Sequence, residues 1–207
     1  MPQTSATPAK AKRKPSGTKK AHTRARLLEA ARAALSAGDG DADMAAIARE
    51  ARVSVGLAYH HFGSKAGLVR AVVEDFYDRY SAVVNANFEG LSWAQREQAR
   101  TRAMVAFHFD DAFAATVFGP LGRSPEVMAA ESNCMAAMVE LGARNIAQGQ
   151  DTGELNPYMD PTLAAAFVLG GARQAVIVAV ARGDGDDLDA LSEDIWARIA
   201  DALGVKR

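Results

Sequence analysis

The chain has 207 residues, 49% of them apolar, which fits one mid-sized domain or two small ones with a real core. A formal charge of −1 hides a segregation: residues 1–70 carry 13 Lys/Arg against 5 Asp/Glu, and residues 71–207 carry 11 against 20. This favours a basic part that meets a polyanion and an acidic part that does not, while the single cysteine, Cys134, excludes an internal disulfide and an all-cysteine metal site.

No apolar segment follows the basic N-terminus, so no secretory signal is expected, and one cysteine suits a cytoplasmic protein. Residues 1–20, MPQTSATPAKAKRKPSGTKK, hold six Lys/Arg and no acid; this stretch is expected to be a disordered tail, either a solubilising leader or an arm that touches phosphates. A first helix is predicted from Ala21 or Thr23, because Leu27, Leu28, Ala31, Ala34 and Leu35 recur at three- and four-residue spacings. SAGDGD (36–41) ends it. A second helix covers 44–51 behind the N-cap candidate Asp43. Ser54 caps a third over Val55–Phe62, Gly63 stops it, and Ser64 caps a long helix from Lys65 towards Phe88. Two short helices joined by about three residues have the spacing of a helix-turn-helix, whose second helix enters the major groove.

The pattern stays helical beyond Gly90. One segment is predicted over 92–116, capped by Ser92 and broken by VFGPLG (117–122). Pro125 opens another, to 150, a loop covers 151–160, and an Ala-rich helix runs from Pro161 to Arg182. That helix is interrupted by Arg173 and Gln174, so a buried helix is expected rather than a membrane span. The last helix, 188–203, carries Leu188, Leu191, Ile195, Trp196, Ile199 and Leu203 as a stripe. No strand and no repeat is evident.

The stretch VSVGLAYHHFGSKAGLV (53–69) sets Gly56, Tyr59, His60, His61 and Lys65 close together. A metal site is the weakest reading, since adjacent histidines point about 100° apart on a helix and no third ligand supports them. A buried knot explains Phe62 and Leu68 but not the polar set. Gripping of phosphates explains more: tyrosine, histidine and lysine are all donors, a helix starts at Ser64–Lys65, and Gly56 permits close approach of backbone to groove.

TRARLLEAARAALSAG followed by DMAAIAREARVSVGLAYHHFGSKAGLVRAV resembles the DNA-binding domain of TetR-family transcriptional regulators over residues 20–80. The shared motif is a glycine, then Tyr-x-His-Phe, then a lysine three residues on that opens a long helix. The resemblance implies an all-α chain of about nine helices. It comprises a basic tail (1–19), a three-helix DNA-binding domain (20–80) and a larger effector-binding and dimerisation domain (81–207). It implies that Val55, Gly56, Leu57 and His60 face base edges and sugars, that Tyr59, His61 and Lys65 hold phosphates, and that Met44 and Ala45 lie where the second helix touches DNA. Three departures stand out. Arg52 replaces the usual turn glycine and is a candidate phosphate contact. Met44 and Ala45 offer no hydrogen bond. Val55 and Leu57 are apolar, so readout leans on thymine methyls and DNA shape.

The resemblance also implies a homodimer built on the last two helices, for which Leu163, Phe167, Gly170, Gly171, Val178, Ile195, Trp196 and Ile199 are candidates; ordinary core is the alternative for each. An effector pocket would draw on Met104, Phe107, Phe109, Phe113, Phe118, Met128, Met135, Met138 and Phe167. Its candidate polar anchors are His108, Asp110, Asp111, Asn133 and Arg173. His108 and Asp111 are too few for a metal site. No glycine-rich phosphate loop, nucleophile elbow or Cys–His arrangement marks an enzyme, and no cofactor is implied. The expected function is that of a ligand-responsive repressor. It would bind a palindromic operator in double-stranded DNA as a homodimer, with no membrane partner, and leave it on binding a small, largely apolar effector. A ligand-independent DNA-binding protein or an activator is the alternative.

Overall fold

The computed structural model describes residues 16–38, 40–86, 88 and 90–205. Among these residues the chain is all-α, with nine α-helices. They are α1 (Ser16–Ala37), α2 (Met44–Glu50), α3 (Val55–Phe62), α4 (Lys65–Val84), α5 (Trp93–Asp110), α6 (Phe113–Phe118), α7 (Pro125–Asp151), α8 (Pro161–Arg182) and α9 (Leu188–Leu203), with a 3-10 turn at Pro120–Arg123.

Short-range chemistry sets most boundaries. The side chains of Asp43, Ser54, Ser64, Ser92, Ser124, Asp160 and Asp187 each accept the backbone N–H three residues on. Each such cap is worth about 1 kcal/mol. Gly63, Gly183 and Gly204 close α3, α8 and α9 at positive φ.

Three boundaries differ from expectation. α1 begins at Ser16, upstream of Ala21, so residues 16–19 of the expected tail are helical; residues 1–15 lie outside the described residues. α4 ends at Val84, where Asn85 caps it, short of Phe88. The helix expected over 92–116 is two helices: Asp111 turns extended (φ −90°, ψ 101°), accepts the N–H of Phe113 and pairs with Arg79 of α4. That break follows from a tertiary ion pair, which helical periodicity does not register. Val117 and Phe118, expected in the interruption, belong to α6.

α4 is the central strut. Val72, Val73 and Phe76 are fully buried in one cluster with Leu27 and Leu35 of α1, Ile47 of α2, Val105 of α5, Phe113 and Val117 of α6 and Val127 of α7. This core runs from Leu27 to Ile195, and α4 crosses the boundary expected at residue 80. A second cluster, Trp93, Ile146, Leu155, Ala165 and Leu203, ties α5, α7, α8 and α9 together at the far end. The expectation that α8 is buried holds for one side only: Ala165, Ala172, Val176 and Ala179 face inward. Only 28% of its most apolar window is buried, and by length and composition alone it could cross a membrane.

Candidate nucleic-acid interface and effector cavity

α2 and α3 form a helix-turn-helix resting on α1 and α4. Ala58 is the buried foot of α3, while Val55, Gly56, Leu57, Tyr59 and His60 are exposed together. A Cβ at Gly56 would meet nothing within 4 Å, so this side of α3 is open. At Gly67, in contrast, a Cβ would strike the Phe62 carbonyl; only glycine lets the first turn of α4 tuck under the end of α3. On α2, Ala45 is exposed. Met44 is not: at 4% exposure it belongs to the core, and its expected place on the DNA-facing surface is corrected, because the N-cap at Asp43 turns the first residue of α2 inward.

The edge of this surface is basic. Burial and the neighbouring charges of His60, Lys20 and Arg24, in that order, hold His61 below its usual pKa. Lys20 and Arg24 thus stand beside the end of α3, with the Arg24 guanidinium 5.7 Å from the centre of the Phe62 ring. Sequence reading placed Lys20 in the tail and did not single out Arg24, because neither belongs to the apolar periodicity of α1. Lys65, first residue of α4, is half exposed and pairs with Asp41.

The turn between α2 and α3 is a Schellman closure: Arg52 N–H bonds Arg49 O at 3.0 Å and Val53 N–H bonds Ala48 O at 2.9 Å. This geometry asks for a left-handed residue, and Arg52 supplies it at φ 52°. Arg26 of α1 donates to the Ala51 carbonyl and lies 3.5 Å from the Arg52 carbonyl. Nothing in the periodicity of α1 singled Arg26 out.

A cavity of about 80 Å³ lies between α4, α5, α7, α8 and α9. Tyr80 and Val84 of α4 line it, with Trp93, Met104, Met138, Asn145, Ile146, Val168 and Leu169 among the other walls. Its polar groups are largely committed to one another. Arg100 pairs with Glu97 and donates to Val84 O, the Thr101 hydroxyl donates to Glu97 O, and Trp93 Nε1 donates to Asn145 O at 3.0 Å.

Of the expected pocket residues, Met104 and Met138 line this cavity and the others do not. Phe107, His108 and Phe118 form an aromatic cluster with Phe76 and Tyr80 beside it; His108 stacks on Phe118 at 5.2 Å, and its Nδ1 lies 2.7 Å from Met104 O. Asp111 is held by Arg79, and Arg173 by Glu131. Met135 is half-buried on α7, away from the cavity walls. Phe167 points the opposite way, 73% exposed on α8. Apolar residue type marked the interior, while stacking and ion pairs engage His108, Asp111 and Arg173 among the polar candidates. Tyr77, which sequence reading passed over, has a buried hydroxyl with no partner among the described residues, and burial raises its pKa to about 12.

The expected dimer residues also divide. Leu163, Phe167, Gly170, Gly171 and Val178 are exposed together along α8, and a Cβ at Gly170 or Gly171 would meet nothing within 4 Å. Ile195 is instead 4% exposed, and Trp196 and Ile199 are half-buried against the chain's own core. Ile195 is therefore corrected to core. The stripe on α9 served packing within the chain.

Residues 27–72 match the family model described as bacterial regulatory proteins, tetR family. The chain is 28% identical over 149 residues to the HTH-type transcriptional regulator UidR of Escherichia coli strain K12, covering 71% of this chain and 76% of that one. It is 40% identical over 74 residues to the HTH-type transcriptional regulator BetI of Cronobacter sakazakii, covering 36% of each. The transcriptional regulator FadR from Bacillus subtilis, solved in complex with stearoyl-CoA, superposes with a TM-score of 0.71 over 86% of this chain and 98% of its own, at 18% identity. The N-terminal helix-turn-helix therefore matches the TetR family of DNA-binding transcriptional regulators over residues 27–72, and the all-α frame behind it shares the fold of that solved structure.

Proposed function

We propose that the chain is a ligand-responsive repressor that binds a palindromic operator as a homodimer and is released by a small, largely apolar effector. It acts by binding rather than catalysis, in the cytoplasm where its bacterial relatives would meet DNA. The observation that carries the reading is the open side of α3, with Val55, Leu57, Tyr59 and His60 exposed around Gly56 and a basic edge at Lys20, Arg24, His61 and Lys65. Phosphate contacts from the edge would fix register, and apolar contacts from Val55 and Leu57 would favour thymine methyls. Ala45 and Arg52, both exposed, sit where further contacts are available. In this division residues 20–80 bind DNA and 81–207 take the effector and the partner copy, with α4 shared.

The homodimer reading rests on the outer face of α8, where Leu163 and Phe167 are more than two-thirds exposed. Two linked recognition helices offset the weakness of a single half-site.

The effector reading rests on the cavity beside Tyr80 and Val84. A ligand site of ordinary size is about 300–1,000 Å³, so a cavity of about 80 Å³ must widen to admit one. Widening displaces the end of α4, whose other end carries Lys65. The effector thereby prefers the DNA-free state, and a coupling of about 1–3 kcal/mol suffices for a useful switch. Because the cavity's charged groups are mutually paired, a neutral, mainly apolar ligand suits it, such as an acyl chain or a simple aromatic. FadR's acyl-CoA complex is a precedent for an acyl ligand on this fold. The same small volume favours the second reading, a DNA-binding regulator without a ligand.

The test is selection of sites from random duplex DNA, with the salt dependence of binding to the winner. A palindromic winner and a steep salt slope support the dimeric regulator; salt-sensitive binding to any duplex defeats it. Neutral acyl and aromatic compounds that dissociate this DNA then separate the two readings.

A further inference from the structure

Among the described residues Arg52 is the one non-glycine residue with positive φ. There a Cβ crowds the following carbonyl, and the conformation persists only where neighbours hold it. The Schellman closure demands it, since Arg49 O and Ala48 O receive the N–H groups of Arg52 and Val53. That closure leaves the carbonyl of Ala51, the C-cap of α2, without a helical partner. Arg26 fills the gap. It reaches across from α1, half-buried, donates to Ala51 O and lies 3.5 Å from Arg52 O. Its positive charge also meets the negative end of the α2 dipole.

We propose that Arg26 is a positioning residue for sequence recognition: it fixes the peptide planes of the turn, and through them the angle at which α3 leaves α2, without touching DNA. The proposal rests on the reading of α3 as the recognition helix. Two observations separate this role from the alternatives. The guanidinium is committed to carbonyls of the turn, whereas Lys20 and Arg24 on the same helix stand beside His61 at the basic edge. The attachment of α2 to α1 does not depend on Arg26 either, because Ile47, Ala48 and Ala51 are already buried against the core. What remains for Arg26 is the carbonyl plane of Ala51, three residues ahead of Ser54, whose hydroxyl caps α3.

The clamp matters only while residue 52 carries a side chain. Glycine adopts the left-handed conformation without crowding, so a glycine turn needs no clamp. Arg26 therefore matters because residue 52 is arginine.

The experiment uses the full chain with Arg26→Met, Arg52→Gly and both together. Each is titrated against the duplex the wild type selects and against a scrambled duplex of equal length, over a range of salt, with a thermal melt. Arg26→Met is expected to lose about tenfold on the selected duplex, keep its affinity for the scrambled one and keep its salt slope. In the Arg52→Gly background the same change is expected to cost less than about threefold, which is the rescue. Equal loss on both duplexes with a salt slope shallower by about one would make Arg26 a phosphate contact and overturn the proposal. Retained affinity with only a lower melting temperature would overturn it too, making Arg26 a stabilising residue alone. If Arg26→Met melts below the assay temperature, Arg26→Lys keeps the charge, loses the fork and carries the same comparison. A wild type with no preference for any duplex would sink the recognition reading itself and this inference with it.

Discussion

Lys65, the first residue of α4, is ion-paired with Asp41 in the loop ahead of α2, on an open surface beside α3. The hydrogen bond and charge of Lys65 hold the Asp41 carboxyl below the usual carboxylate range, with the Ala42 N–H adding to them. A phosphate that reaches Lys65 must share it with this carboxylate. Asp41→Asn removes the competitor and a repulsive charge, and is expected to tighten DNA binding about two- to fivefold at low salt, with the gain fading as salt rises. Anisotropy titration at two ionic strengths reads it. Unchanged affinity would mean that Lys65 does not touch the backbone.

Tyr59 separates gripping from packing. Its side chain is 46% exposed, so its ring adds little to the core. Tyr59→Phe deletes one donor and is expected to weaken DNA binding about three- to tenfold with an unchanged melting temperature. A loss of folding would return the tyrosine to the core.

Much of this surface was legible in the sequence because local rules write it. Asp43, Ser54 and Ser64 announce their helices by chemistry confined to four residues, and Val55, Gly56, Leu57, Tyr59 and His60 are exposed around Ala58, the buried foot of α3. Longer-range pairing was not legible. Asp111 reads as one more residue of a helix until Arg79 claims it, and Arg173 reads as a pocket anchor until Glu131 does. Met44 and Ile195 failed for the same reason: residue type says apolar, but only tertiary placement says which apolar residues face out. Arg26 left no trace because its partner is a backbone carbonyl.

His61 is expected to make DNA binding depend on pH. In the free protein burial, His60, Lys20 and Arg24 keep it below the ordinary value, and so mostly neutral at pH 7. A phosphate beside it favours the charged form, so binding takes up a proton and affinity rises as pH falls through the complex's pKa toward that of the free protein. His61→Gln is expected to remove this part of the pH dependence. An affinity profile from pH 5 to 8 that is the same in both proteins would exclude His61 from the contact.

His108 couples pH to stability instead. It is buried on Phe118, and burial lowers its pKa, with the Met104 carbonyl opposing, Arg173 lowering it further and Asp111 raising it. Below pH 6.5 the unfolded chain takes a proton that the folded chain refuses. The stabilisation is thus present above 6.5 and lost as pH falls towards the folded value. For a chain of this size the melting temperature drops by about 2–4 °C per kcal/mol lost. His108→Phe is expected to flatten that acid limb. An equally steep fall in the variant would assign the acid sensitivity to other groups.

Phe167 tests the assembly. It stands 73% exposed on α8, with Leu163 one turn before it at 71%, and Gly170 and Gly171 beyond it have open space where their Cβ atoms would be. Glycines in mid-helix destabilise a helix by about 1 kcal/mol each, and nothing among the described residues approaches them closely enough to repay that. A second α8 crossing here would meet small residues flanked by Leu163 and Phe167, so backbones could approach and the large side chains interdigitate. Phe167→Glu sets two carboxylates into such an interface while leaving the monomer's core untouched. It is expected to give a folded monomer by sedimentation, with half-site affinity retained and affinity for a two-half-site duplex reduced at least about tenfold, since the second half-site no longer binds in concert. A variant that stays dimeric with full operator affinity would move the interface off α8, and the glycine pair would then need another explanation.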